Sequence, residues 1–133
     1  MADLGTALFE RLRDAPKVAA LVGTKIHWLK VPQGTTPPYI RLQVVSGDTI
    51  EDLDGDTAVH ETRVQADCFA GSHAISQEIA QAITKITAEP ATVAGVVFGR
   101  IKATGPRDLG EDVPGKSFIH RASMDLLVWY RLA

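Results

Sequence analysis

The sequence predicts an α+β fold, with an antiparallel sheet of about four to five strands and two helices packed on one face. Two segments carry apolar residues at the spacing of an amphipathic helix, and several others alternate between polar and apolar residues. Successive strand-like segments have no helix between them, which favours antiparallel pairing. Because 133 residues are about one ordinary domain's length, we expect a single domain over residues 1–133.

The first helical segment begins near the start of the chain. Leu4, Leu8 and Leu12 recur every four residues and form one apolar stripe. Pro16 is poorly tolerated inside a helix but suits the first turn of a new one. We therefore expect a break before Pro16 and a short restart that ends at Gly23.

The first strands follow this helical region. Residues 25–30 could form a brief strand, and the proline-rich residues 31–38 form a non-helical connection. Residues 39–46 and 63–68 both alternate, so we expect two antiparallel neighbours joined through the acidic stretch of residues 48–56. The apolar residues predicted to face the core are Ile40, Leu42, Val44, Val64, Ala66 and Cys68.

The second helix has the clearest pattern. Ile75, Ile79, Ile83 and Ile86 form one stripe, and Ser72 is suited to cap its N-terminus.

The last part of the chain predicts two strands and a long loop. Residues 96–103 read as one strand, and residues 119–132 alternate over their whole length. Residues 104–117 lie between them and contain two prolines and three glycines, so they predict a loop. A loop of this length in a small domain is usually either functional or disordered when the protein is alone.

Composition excludes several function classes. The net charge is −2, and no run of basic residues could follow a phosphate backbone, so unspecific nucleic-acid binding is not expected. No stretch of about 18 apolar residues predicts a membrane span, and the N-terminus lacks the pattern of a signal peptide. We therefore expect synthesis in the cytosol and no membrane partner.

The acidic stretch of residues 48–56, followed by Glu61, partly matches the pattern of a calcium-binding loop. Counting from Ile50 places Asp52, Asp54, Gly55 and Glu61 in register with that motif. Position 1 is then Ile50, which has no side-chain oxygen, and the flanks read as strands instead of helices. A solvated hairpin turn is the favoured interpretation.

Catalytic and cofactor patterns are weak. The only cysteine, Cys68, lies on the predicted apolar face and reads as a buried structural thiol. The four histidines fall in separate predicted elements without metal-ligand spacing: His27, His60, His73 and His120. The chain contains neither a G-x-S-x-G elbow nor a phosphate-binding glycine loop, so no cofactor, metal or catalytic residue is predicted.

The polar side of the predicted strands is more informative. Its residues are Arg41, Gln43, Arg63, Gln65, Asp67, Arg121, Ser123 and Asp125. They are expected to align across neighbouring strands as a charged but self-complementary surface. Such a surface could be solvated, line a channel or meet other subunits.

Six short segments spread over nearly the whole chain form a recognisable series. They are Ala19–Ile26, Val31–Gly34, Pro38–Ile40, Asp52–Gly55, Arg63–Phe69 and Met124–Tyr130. The series resembles the tail completion family of long-tailed phages, prophages and gene transfer agents, which includes tail terminator subunits.

The resemblance implies a structural virion protein and not an enzyme. It implies a small α+β subunit that assembles with itself into a ring, typically a hexamer, at the head-proximal end of the tail. The partners would be the tail tube protein and the neck or head connector, with DNA passing through the lumen without sequence-specific binding. The protein is then expected in the virion, at the head–tail interface, after assembly in the bacterial cytoplasm.

Contacts in such a ring are expected from segments that the core does not need, namely residues 33–38, 48–56 and 104–117. The candidate interaction residues are Gln33, Asp52, Asp54, Arg107, Asp108, Glu111 and Asp112. A second interpretation stays open from the residues alone, a small-molecule-binding or dimeric α+β interaction module of a cytosolic protein.

Overall fold

The computed structural model describes residues 3–51, 58–112 and 118–133. It contains three helices and seven strands, in the order α1 (Leu4–Arg13), α2 (Pro16–Val22), β1 (Ile26–Trp28), β2 (Tyr39–Glu51), β3 (Ala58–Ala70), α3 (His73–Thr87), β4 (Ala91–Val93), β5 (Val96–Phe98), β6 (Lys102–Glu111) and β7 (Ile119–Leu132).

The N-terminal helical region breaks before Pro16 as expected, and the break separates two helices, α1 and α2. Asp3 caps α1 by accepting a hydrogen bond from the Thr6 amide at 2.7 Å. Pro16 opens α2, where its fixed φ and missing N–H do no harm. The chain then leaves α2 at Gly23, whose φ of 63° favours glycine. The prediction of two helices is therefore wrong by one, because the proline that breaks the first helix also starts another.

Helix α3 confirms the strongest local prediction. The Ser72 hydroxyl accepts a hydrogen bond from the Ile75 amide at 3.2 Å and caps the helix. Ile79 and Ile83 are fully buried against the sheet, whereas Ile75 in the first turn is 38% exposed. The isoleucine stripe thus faces the core along the middle of the helix.

The sheet has more strands than the sequence predicts, and it is mixed. Its order is β1-β2-β3-β7-β5-β4, and β6 also pairs with β7. β1 runs parallel to β2, and the other pairs are antiparallel. The prediction of four to five antiparallel strands is wrong in these details, because β1 pairs in parallel, residues 96–103 contain β5 and only the start of β6, and the unpredicted β4 has just three residues. Alternation cannot be recognised over so few residues.

Strand β7 has the predicted bounds and holds the centre of the sheet. It pairs with β3 along one edge, and with β6 and then β5 along the other. Its even-numbered apolar residues are buried on the helix side: Ala122, Met124, Leu126 and Val128. Helices and strands share one core, to which α1, α2 and α3 all contribute.

Residues 104–111 are not a loop, which corrects the prediction for residues 104–117. They belong to β6, which pairs with β7 from Lys102↔Leu127 to Glu111↔Ile119, with a register shift between Thr104 and Arg107. Glycine and proline in this stretch conceal the strand, since both are depleted in strands. Long-range pairing with β7 overrides this local preference. Residues 113–117 lie outside the described residues.

Strand β2 also runs further than predicted. It pairs with β3 up to Glu51↔Ala58, so the predicted connection of residues 48–56 begins as strand. Val44, predicted to face the core, is 52% exposed, and its neighbour Val45 is 51% exposed. A bulge between Val44 and Ser46 shifts the register here and takes the strand away from the helix layer.

Replacing Ile83 by alanine tests the packing of α3. We expect Ile83→Ala to lower the free energy of unfolding by about 2–4 kcal/mol, because it leaves a cavity in the core. Ile75→Ala, in the same helix, is the control and should cost less than about 1 kcal/mol. Urea denaturation measures both, and equal losses would contradict this packing.

Candidate interaction site

The polar face of the sheet is aligned as the sequence predicts. Asp67 in β3 stands opposite Arg41 in β2 and opposite Ser123 in β7. Two residues earlier in β3, Gln65 stands opposite Gln43 in β2 and opposite Asp125 in β7. The three long strands therefore bring the predicted polar residues together on the side of the sheet that faces away from the helices.

Asp67 is the centre of this face and is fully buried. Its carboxylate contacts Arg41 Nη2 at 2.8 Å and Arg121 Nε at 3.0 Å. Gln65 Nε2 donates to the same carboxylate at 3.0 Å. Burial alone raises the pKa of Asp67, but hydrogen bonds from Arg121, Ser123, Arg41 and Gln65 outweigh it and hold this pKa below its ordinary value. Asp67 is therefore an ionised buried group shared by two arginines.

An aromatic pair lies beside this ionic centre. Phe69 stacks on Tyr39 with 4.7 Å between ring centroids. The guanidinium carbons of Arg41 and Arg121 lie 5.5 Å and 5.7 Å from the centroid of the Phe69 ring. Both arginines therefore combine an ion pair with a cation–π contact, which holds their planes in place.

These side chains form the floor of a cleft of about 510 Å³. It is lined by Leu29, Lys30, Val31, Tyr39, Arg41, Phe69, Leu109, Gly110, Glu111, Ile119 and Arg121. Leu29 follows β1 at one edge of the sheet, and Leu109 is in β6 at the other edge. Since both line the same cleft, the sheet must curl towards its polar face at this end.

The predicted interaction residues fall into four groups. Glu111 is exposed and belongs to the cleft, and Arg107 is exposed on β6 opposite Ser123. Asp108 instead turns to the helix side, where it contacts His73 Nε2 at 3.1 Å and accepts from Gln77 at 2.8 Å. Two further residues, Asp112 and Gln33, are exposed outside the strands. The remaining two, Asp52 and Asp54, lie outside the described residues.

The apolar part of the cleft was missed from the sequence. Tyr39 and Phe69 could have been found, because they continue the alternation of Arg41 and Asp67 at facing strand ends. Leu29 and Leu109 carry no such signal. Their meeting depends on the curl of the sheet and on β6 being a strand.

The described lining of the cleft contains neither Cys68 nor a histidine. Cys68 is fully buried, and burial raises the pKa of its thiol, as expected for a structural cysteine. Within residues 3–51, 58–112 and 118–133, no three His, Cys, Asp or Glu side chains are grouped to hold a metal ion. The flanks of the acidic stretch are strands, and Glu61 accepts from Trp129 Nε1 at 3.2 Å, which favours the hairpin interpretation over a calcium loop.

No helix in the described part of the chain is long and apolar enough to cross a membrane.

Replacing Asp67 by asparagine tests the ionic centre. We expect Asp67→Asn to lower the free energy of unfolding by about 3 kcal/mol, because two arginines lose their shared counter-charge. Asp125→Asn is the control. Asp125 is partly exposed and 3.7 Å from Arg63, so its loss should cost less than about 1 kcal/mol. Urea denaturation at pH 7 should separate the two variants, and a small loss for Asp67→Asn would contradict the assignment.

The same variant predicts a pH dependence. The pKa of Asp67 is lower in the folded state than in the unfolded state. The ionised carboxylate therefore makes its full contribution to the free energy of unfolding above the unfolded pKa near 4, and this contribution is lost as the pH falls through the folded pKa. The stability difference between the wild-type protein and Asp67→Asn should therefore narrow as the pH falls from 6 to 3. A difference that stays constant over this range would show that Asp67 is not the ionised group.

Comparison with known proteins identifies relatives of this fold. Residues 6–131 match the family model described as "Tail completion protein gp17". Among solved structures, a chain of the "Virion of native gene transfer agent (GTA) particle" superposes with a TM-score of 0.60 at 23% sequence identity, over 97% of this chain and 93% of that chain. No curated protein sequence matches the chain.

The family match covers nearly all of the described sheet and helices, and the superposed virion chain shares the fold. The resemblance seen in the sequence is thereby confirmed. The chain belongs to the family of tail completion protein gp17 and is a structural protein of the phage tail, located in the virion.

Proposed function

We propose that the chain forms a homo-oligomeric ring, a hexamer, at the head-proximal end of the tail. There it completes the tail tube and joins it to the neck or head connector. Membership of the tail completion family supports this role, and the fold shared with a chain from a gene transfer agent virion agrees with it.

The observation that supports a ring is that two long strands, β6 and β2, each leave a stretch of one edge open. Among the described residues, β6 pairs with β7 alone, so its other edge has no strand partner. On the far side of the sheet, β1 covers β2 only at residues 40–42, and residues 43–51 have β3 as their one partner in the described sheet. Two unlike surfaces on one subunit suit head-to-tail contacts, which close into a ring when the rotation permits.

Both edges have the character of contact surfaces. Residues 104–111 of β6 are all exposed, and β2 exposes Val44 and Val45 next to its open edge. Long open strand edges can form hydrogen bonds with a strand of another chain. Pro106 limits such pairing on β6, because proline has no N–H to donate. We expect each edge to be covered in the assembled tail.

DNA in this proposal only passes through the ring. The net charge of −2 gives no general attraction for phosphate groups, so a chain of DNA could slide without being held. No sequence-specific binding is expected.

The cleft leaves a second candidate, a ligand-binding or dimeric module. A volume of about 510 Å³ is within the range of small-molecule sites. Leu29 and Leu109 in its walls are 66% and 46% exposed, however, which is unlike the enclosed apolar pocket of such a module.

Electron microscopy of particles from a phage or prophage carrying an early stop codon in this gene tests the proposal. Unattached heads beside tails of normal length would support the joining role, and overlong tails would support the completing role. A plasmid copy of the wild-type gene should restore whole particles, whereas a copy with the same stop codon should not. Intact infectious particles without the protein would overturn the proposal in favour of the second candidate.

A further inference from the structure

We infer that the cleft on the polar face receives the acidic segment Asp52–Asp56 of a second copy of this chain. This inference rests on the proposed ring and specifies one contact within it. The occupant is thus a neighbouring subunit that presents carboxylates around one leucine.

The charge of the cleft favours an anionic occupant. Arg41 and Arg121 share the single carboxylate of Asp67, so one positive charge stays uncompensated at the floor. Lys30 and Glu111 also line the cleft and are both exposed, so together they add no net charge to it. The Nε atom of Arg41 is buried and has no hydrogen-bond partner within the described residues. A carboxylate entering the cleft would meet guanidinium groups already held in place by Asp67 and Phe69.

The walls of the cleft favour an apolar side chain next to that carboxylate. Leu29 is 66% exposed and Leu109 is 46% exposed, on either side of the stacked Tyr39 and Phe69. The two leucines stay open to solvent in the single subunit, whereas Phe69 is buried beneath them. Burying a leucine side chain between them would contribute free energy of association that an ion pair alone does not supply.

The chain itself contains a segment with the matching chemistry. Residues 52–56 read Asp-Leu-Asp-Gly-Asp, with three carboxylates and one leucine in five residues. This segment joins the ends of β2 and β3. Its composition is therefore complementary to the cleft in both charge and polarity.

A subunit cannot fill its own cleft with this segment. Arg41 is near the start of β2 and Glu51 ends the same strand. Ten residues of extended strand separate them by about 33 Å, so Glu51, the last described residue before the segment, lies far from the cleft of its own subunit. Contact must then join the cleft of one copy to the acidic segment of the next. This is a head-to-tail arrangement, as a ring requires.

Disulfide cross-linking in assembled particles tests the contact. The chain has one cysteine, Cys68, which is buried, so Cys68→Ala provides a background without reactive thiols. In that background Leu109→Cys and Leu53→Cys are combined, and purified particles are oxidised and run on a non-reducing gel. The expected result is a ladder of this protein from the dimer up to the full ring. The control pair is Gln81→Cys with Leu53→Cys, because Gln81 is exposed on the helix side, and it should give no ladder.

Charge removal gives a second, independent measurement. Asp52→Asn with Asp54→Asn should reduce the yield of cross-linked ring about tenfold at low salt, and this difference from the wild-type segment should shrink at high salt, where screening already weakens the ion pairs. Glu78→Gln with Glu89→Gln is the matched control, since both residues are exposed in and after α3, and the same charge is removed. The control should assemble like the wild-type protein.

The outcomes separate this inference from the proposed ring. Rings of normal size that give no ladder, or a cross-link to a protein of different mass, would overturn the inference and leave the ring in place. Equal effects of the two double variants on cross-linking would also overturn it. Tails that contain no ring of this protein would overturn the proposed function itself.

Discussion

The buried carboxylate of Asp67 is the interaction on which the polar face depends. An ionised group without solvent is costly, and here Arg41 and Arg121 offset that cost from the strands on either side of β3. The arrangement also defines the strand register. A slip of β3 by one residue would turn Asp67 towards the helices and place a charge among the buried apolar residues of the neighbouring strands, such as Leu42, Ala122 and Met124. The same two arginines lie against Phe69, so the ion pairs that set the register also shape the floor of the cleft.

Strand β7 connects the ionic centre to the core and to the rest of the sheet. Its even-numbered residues close the core under the helices, and its odd-numbered residues Arg121 and Ser123 complete the ionic centre. On its outer edge β7 holds β6 in place, so that Leu109 reaches the cleft. The cleft is thus a consequence of strand pairing over long sequence distances. No local segment could form it alone.

This dependence explains what could be predicted from the sequence and what could not. Helix α3 and strand β7 were predicted closely, because each repeats one periodicity over 14 or more residues. The alignment of Arg41 and Asp67 was predicted as well, since it follows from alternation in two neighbouring strands. Strand β6 was missed because its glycines and proline oppose the pairing that β7 imposes. The meeting of Leu29 with Leu109 was beyond prediction, because it requires the curl of the whole sheet.

The structure separates the parts that stabilise the subunit from the parts left open. On the helix side, Leu8, Ile83 and Leu126 are fully buried within one chain. On the other side, the β6 edge, the β2 edge and the cleft walls stay exposed and contribute little to that core. The described core is thus complete within one chain, and the open surfaces remain available for contacts with other chains. The open surfaces are also unlike one another. Contacts between them therefore have a direction, as the proposed ring requires.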